Sequence, residues 1–150
     1  MQSDAIDLLH QADRLQKPVV VHGLSMGSIL AVRTAQDPKV AGLVLEGAIT
    51  SVPQVVDATV PGWLRAFLPI TIDPDLAALD NIPLVTRFDR PLLILVGKDD
   101  DETPPVLSER LYVAATGTHK SLLEVPKARH ADTMTFDAAV QAYRHFLDQM

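Results

Sequence analysis

A Gly-x-Ser-x-Gly pattern at residues 23–27 constrains this chain more than any other feature. It follows an apolar run that ends at His22, and a stretch with helical spacing comes directly after it. Glycines on either side of a serine permit a sharp strand-to-helix turn, which projects the Ser25 hydroxyl into a cleft. From glycine and serine content alone, the pattern would occur by chance in roughly one sequence of this length in a hundred. Its position between a predicted strand and a predicted helix, rather than the pattern alone, therefore indicates a nucleophile elbow.

Apolar runs and helical patterns alternate along the chain. The predicted strands are residues 19–22, 40–45, 92–96 and 121–125, and the predicted helices are residues 4–16, 26–36, about 104–116 and about 136–149. Strands that alternate with helices are typically parallel and joined by right-handed crossovers. The sequence therefore predicts the α/β class, with a parallel sheet of about four strands and flanking helices.

Residues 50–90 interrupt this alternation. The segment contains five prolines, and its apolar residues fall in short helical patches such as the one around Trp63 and Phe67. Long excursions at the carboxyl ends of strands often carry binding surfaces, so the segment is a candidate cap over the cleft. The alternative is that Trp63 and Phe67 only cover the edge of the sheet, and the pattern leaves both open.

Composition bounds the class of protein. A chain of 150 residues, 47% of them apolar, fits one globular domain with its own core. The net charge of −6 and the lack of a basic cluster argue against a nucleic-acid partner. The absence of cysteine excludes disulfides and thiolate catalysis. The first residues do not resemble a signal peptide and no apolar run is long enough to span a bilayer, so a cytoplasmic location is predicted.

An acid and a base follow the elbow in the order that a serine hydrolase needs. A serine hydroxyl is a weak nucleophile, so an imidazole must take its proton and a carboxylate must orient that imidazole. The acidic loop 97–105 follows the strand at 92–96, and His130 lies in the loop after the strand at 121–125. Spacing alone leaves Asp99, Asp100 and Asp101 open as the acid.

Together these motifs resemble the carboxyl-terminal half of an α/β-hydrolase fold serine hydrolase. The shared patterns are Gly-x-Ser-x-Gly-Ser/Gly, Gly-x-x-Asp-x-x-x-Pro-Pro and a histidine followed closely by Asp-Thr, within residues 5–149. The resemblance implies that Ser25 is the nucleophile, Asp100 the acid and His130 the base, with Asp99 and Asp101 as fallback acids. It also implies that the backbone N–H of Met26 donates to the oxyanion.

The remaining site predictions are less specific. Leu24, His22 and Trp63 are predicted to contact the substrate, and the other histidines are predicted to lie on the surface. No motif indicates a metal site or a cofactor, so none is expected. The predicted activity is hydrolysis of a small-molecule ester, thioester or amide through an acyl-enzyme.

The same resemblance raises a question about the amino-terminal side. An α/β-hydrolase normally has four strands and a helix ahead of the elbow strand, including the loop that supplies the second oxyanion donor. Without them, strand 19–22 would lie at a sheet edge, and such edges tend to pair. We therefore expect a truncated domain at 1–150 that is completed by a missing amino-terminal half or by a homodimer through strand 19–22. The alternative function is an impaired remnant that acts as a binding or interaction module.

Overall fold

A parallel four-stranded sheet forms the centre of the molecule. The computed structural model describes residues 9, 12, 16–68 and 70–150. The strands are β1 (Val19–Leu24), β2 (Val40–Glu46), β3 (Leu92–Gly97) and β4 (Lys120–Val125), and their order in the sheet follows their order in the chain. The predicted class and the four predicted strands are confirmed. The helix predicted at 4–16 falls outside the described residues except at positions 9, 12 and 16.

Helices cover both faces of the sheet, because the strands are apolar on both sides. The main helices are α1 (Gly27–Thr34), α6 (Pro105–Ala114) and α7 (Asp137–Asp148), and the 3₁₀ turn Thr133–Thr135 precedes the last. On one face, Val32 of α1 and Leu111 of α6 pack with Leu43 and Ile94. On the other face, Phe146 of α7 packs with Val44, Leu93 and Leu95. Alternate side chains of each strand therefore enter opposite halves of the core.

Four short helices occupy the predicted insertion between β2 and β3. They are α2 (Val52–Thr59), α3 (Gly62–Arg65), α4 (Pro74–Ala77) and α5 (Ile82–Thr86). Trp63, Phe67 and Leu68 are exposed, whereas Val85 and Phe88 near the end of the segment are buried in the core. The insertion is thus anchored at its carboxyl-terminal end, and its role as a cap stays a prediction.

Arg90, just before β3, forms hydrogen bonds with the backbone of the segment between α1 and the start of β2. Its guanidinium donates to the backbone carbonyls of Ala35, Asp37 and Val40. Its Cζ also lies 4.7 Å from the ring centroid of Phe88. Without this guanidinium, the three partly buried carbonyl oxygens would lose the charged donor that they share.

We expect Arg90→Met to lower the free energy of unfolding by about 2–4 kcal/mol, because three carbonyl acceptors lose a charged donor. Urea denaturation followed by circular dichroism measures this change. Arg87→Met is the matched control, since Arg87 is exposed, and it should shift the free energy of unfolding by less than about 0.5 kcal/mol. Equal effects of the two substitutions would contradict the role of Arg90.

Candidate active site

Ser25 lies on the turn between β1 and α1 in a strained backbone conformation. Its φ of 53° is in the left-handed region, which is unfavourable for a residue with a side chain. The Ser25 N–H donates to the Glu46 carbonyl (2.9 Å), and the Ser28 N–H donates to the Ser25 carbonyl (3.0 Å). A Cβ on Gly23 would lie only 2.5 Å from the Ala31 Cβ, so the glycine permits α1 to pack close to β1. These contacts hold the serine at the carboxyl end of β1.

Asp100 and His130 form a hydrogen-bonded pair at the same end of the sheet, with the carboxylate buried and the imidazole half-buried. Asp100 Oδ2 lies 3.0 Å from His130 Nδ1, and the Asp100 side chain is 1% exposed. The other carboxylate oxygen accepts the backbone N–H groups of Glu102 (3.0 Å) and Thr103 (2.8 Å). The imidazole tautomer with a proton on Nδ1 donates to this carboxylate, which leaves Nε2 free to accept a proton.

Thr103 completes the surroundings of the carboxylate. Its hydroxyl donates to Asp100 Oδ2 at 2.8 Å and lies 3.1 Å from His130 Nδ1. Sequence reasoning missed this residue, although a threonine three positions after an aspartate is a common local hydrogen-bonding arrangement. Of the three acids that spacing left open, the structure brings Asp100 to His130. Asp99 and Asp101 are exposed, and no ion pair joins either to His130 in the described part of the chain.

Gly47 connects the serine turn to the acid–base pair. It directly follows Glu46, whose carbonyl accepts the Ser25 N–H. A Cβ at Gly47 would lie 3.0 Å from Thr103 Oγ1, 3.2 Å from Asp100 Oδ2 and 3.5 Å from His130 Nδ1. One short stretch of backbone at the end of β2 therefore contacts the elbow through residue 46 and the acid–base pair through residue 47. Sequence reasoning missed Gly47 as well.

Buried hydrogen bonds fix the loop that carries Gly47. Ser28 Oγ accepts the Ile49 N–H at 3.2 Å, and Asn81 Nδ2 donates to the Ile49 carbonyl at 2.8 Å. The Asn81 N–H also donates to the Thr50 carbonyl at 2.8 Å. The loop is thus held between the helix after the elbow and the last helix of the insertion.

Comparison with known proteins places this geometry in context. An uncharacterized protein of Mycobacterium tuberculosis is 34% identical over 146 residues, which are 93% of this chain and 48% of that protein. The α/β-hydrolase domain-containing protein WAV2 of Arabidopsis thaliana is 30% identical over 127 residues, covering 77% of this chain and 41% of that protein. The chain thus spans about half the length of the curated relatives it matches. No protein-family model matches the sequence.

A solved structure gives the fold. A thermophilic esterase from Thermogutta terrifontis superposes with a TM-score of 0.70, at 20% identity, over 99% of this chain and 72% of that chain. This chain has an α/β-hydrolase fold. It contains the part of the fold from the elbow strand onward, and the resemblance stated from the motifs is confirmed.

Within the α/β-hydrolase fold, two of the predicted site residues flank Ser25 directly. Leu24 and Met26 are 40% and 49% exposed. No hydrogen bond among the described residues uses the Met26 N–H, so this donor is available to a ligand. Trp63 lies on α3 with 69% of its surface exposed, outside the apolar clusters of the described chain. Its predicted substrate contact stays a prediction.

His22 belongs to a second polar group beside the elbow. Its Nε2 lies 3.2 Å from Glu46 Oε2, and its ring centroid is 5.5 Å from that of Tyr143. Burial, and secondly the Glu46 carboxylate, raises the pKa of the Tyr143 hydroxyl. The predicted substrate contact of His22 stays a prediction, and sequence reasoning missed Glu46, a buried acid at the end of β2.

No group of three or more histidine, aspartate or glutamate side chains is placed to hold a metal ion in the residues that the structure describes. Within the same ranges, no helix is both long and apolar enough to cross a membrane.

For the hydrolase activity proposed below, we expect Gly47→Ala to lower kcat on an ester by about 10- to 100-fold, because a Cβ there would press on the Thr103 hydroxyl and on the Asp100 carboxylate that pairs with His130. The φ of 47° at this position adds strain for alanine. Steady-state kinetics with a p-nitrophenyl ester measures the effect. Gly62→Ala is the matched control, since the nearest atom to a Cβ there is 4.0 Å away. Unchanged kcat in a folded Gly47→Ala variant would contradict the proposed contact.

Proposed function

We propose that this protein is a serine hydrolase that acts on an ester, thioester or amide through an acyl-enzyme. The observation that carries the proposal is the backbone at residues 46–47, which contacts the strained Ser25 turn on one side and the Asp100–His130 pair on the other. A nucleophile, a base and an orienting acid on three separate loops at one sheet edge fit covalent acyl transfer.

In this mechanism Ser25 Oγ attacks the acyl carbon while His130 Nε2 accepts the hydroxyl proton. The Met26 N–H donates to the oxyanion that forms on the carbonyl oxygen. When the tetrahedral intermediate collapses, His130 gives its proton to the leaving group and the acyl group stays on Ser25. Water then attacks the acyl-enzyme while His130 Nε2 accepts its proton. When this second tetrahedral intermediate collapses, His130 returns the proton to Ser25 Oγ and the carboxylic acid is released. Asp100 accepts from Nδ1 throughout and stabilises the imidazolium.

The comparisons support the hydrolase part of this proposal. The relative from Arabidopsis is described as an α/β-hydrolase domain-containing protein, and the superposed structure from Thermogutta is described as an esterase. They lend no support to the alternative of an impaired remnant. We also propose that residues 1–150 belong to one hydrolase domain, with residues 50–90 as its cap and a small-molecule substrate beneath it.

We further propose that the open edge of β1 is covered in the active protein. Among the described residues β1 pairs only with β2. A groove of about 550 Å³ runs along it, lined largely by apolar side chains such as Val19, Val21 and Leu30. Further strands of the same fold or a second copy would cover it. Sedimentation at micromolar concentration tests the second copy, which a clean monomer would exclude. A cytoplasmic location remains a proposal.

Pre-steady-state kinetics tests the proposed reaction. Mixing the protein with excess p-nitrophenyl acetate should release a burst of p-nitrophenol equal to the concentration of protein, followed by a slower linear phase. The burst reports acylation of the enzyme before hydrolysis. Turnover no faster in the wild-type protein than in a folded Ser25→Ala variant would contradict the proposal.

A further inference from the structure

Glu102 lies beside the free nitrogen of His130. Its Oε2 is 3.9 Å from His130 Nε2, and its side chain is 72% exposed. The position of the residue is set by its backbone, since the Glu102 N–H donates to Asp100 Oδ1 at 3.0 Å. The loop that orients the imidazole through Asp100 therefore also presents a carboxylate to the opposite side of the same ring.

The nitrogen beside Glu102 is the one that meets the leaving group. In acyl transfer the protonated Nε2 donates to the departing oxygen or nitrogen, which must lie within hydrogen-bonding distance of it. A carboxylate 3.9 Å from Nε2 is then within a few ångströms of the leaving group.

The other charges of this loop are placed differently. The Asp100 carboxylate is buried and accepts from Glu102, Thr103 and His130. Lys98 Nζ lies 3.3 Å from Glu124 Oε2, so a neighbouring anion offsets its charge. Glu102 is thus the charged group of the loop that both contacts His130 Nε2 and faces solvent.

We propose that Glu102 is a specificity residue that favours substrates with a cationic leaving group, such as esters of quaternary amino alcohols, over anionic ones. This proposal rests on the proposed hydrolase function. Two unit charges a few ångströms apart at a partly solvated site attract enough to change kcat/KM by about three- to tenfold. Salt screens exposed charges, so the preference should weaken as ionic strength rises.

The test compares a choline ester with the 3,3-dimethylbutyl ester of the same acid, which has the same shape without the charge. In the wild-type protein we expect kcat/KM for the choline ester to exceed that for the neutral ester by about three- to tenfold. Glu102→Gln should bring this ratio close to one, mainly by lowering kcat/KM for the choline ester. Asp99→Asn is the matched control, because it removes the same charge from an exposed residue of the same loop, and it should preserve the ratio.

The outcomes separate this proposal from the proposed function. Hydrolysis of the neutral ester that is lost in Ser25→Ala supports the function, whatever the ratio. A ratio unchanged in Glu102→Gln, or lowered equally by Asp99→Asn, would overturn the role of Glu102. If turnover is absent, the NMR shift of His130 Cε1–H on titration with choline tests the site directly. A chemical-shift change that choline causes, that 3,3-dimethylbutanol does not cause and that is lost in Glu102→Gln would support the role of Glu102. No chemical-shift change with choline in the wild-type protein would overturn that role.

Discussion

Replacing Ser25 with alanine is expected to lower kcat/KM for a p-nitrophenyl ester by about 10⁴- to 10⁶-fold. Without the hydroxyl, no acyl-enzyme can form, and His130 and Asp100 have no nucleophile to activate. The loss should fall mainly on kcat, because the groups that bind the substrate remain. Initial rates at varied ester concentration, with active-site titration of the wild-type protein, measure it.

The fold should survive this change, because the Ser25 hydroxyl makes no hydrogen bond with the other described residues. Ser121→Ala is the matched control, since Ser121 is exposed on β4, away from the elbow. It should keep wild-type kcat/KM. If Ser25→Ala keeps more than about one-tenth of the wild-type kcat/KM while remaining folded, Ser25 is not the nucleophile.

Replacing Asp100 with asparagine is expected to lower kcat by about 10⁴-fold. The carboxylate accepts from two backbone N–H groups, the Thr103 hydroxyl and the His130 ring. An asparagine has one oxygen, so its NH₂ group must face some of these donors. It either leaves the backbone N–H groups unpaired or favours the wrong tautomer of His130.

The same substitution should lower the free energy of unfolding by about 1–3 kcal/mol, because buried donors lose their acceptor. Chemical denaturation separates this loss from the kinetic one. Asp99→Asn and Asp101→Asn are controls of equal charge in the same loop, and both should stay within a few-fold of wild-type kcat. A larger loss in either control than in Asp100→Asn would show that the acid is assigned to the wrong residue.

The strands could be predicted from the sequence because they are continuous apolar runs bounded by residues that interrupt regular structure. Pro18, Pro38 and Pro91 stand directly before or close to three of the strands, and the observed bounds differ from the prediction by at most two residues. The order of Ser25, Asp100 and His130 was readable because each follows a parallel strand. The carboxyl ends of parallel strands meet at one edge, so residues far apart in the chain are expected to be near in space.

Gly47, Thr103 and Glu46 could not be assigned roles in this way. Their importance comes from close approaches between loops, such as the 3.0 Å distance between a Cβ at Gly47 and Thr103 Oγ1. In the sequence, no motif distinguishes Gly47 from other glycines that follow strands, or Glu46 from other acidic residues. The insertion was equally hard to interpret, because four helices of four to eight residues give too few turns for a clear periodic pattern.

The proposed reaction depends on Ser25 as a nucleophile that His130 and Asp100 activate. Labelling with a fluorophosphonate, followed by peptide mass spectrometry, tests it most directly, because the reagent reacts with an activated serine. We predict one adduct, on the peptide that carries Ser25, with labelling strongly slowed in His130→Ala and Asp100→Asn. Labelling of the wild-type protein and a folded Ser25→Ala variant to the same extent would show that Ser25 is not the activated nucleophile.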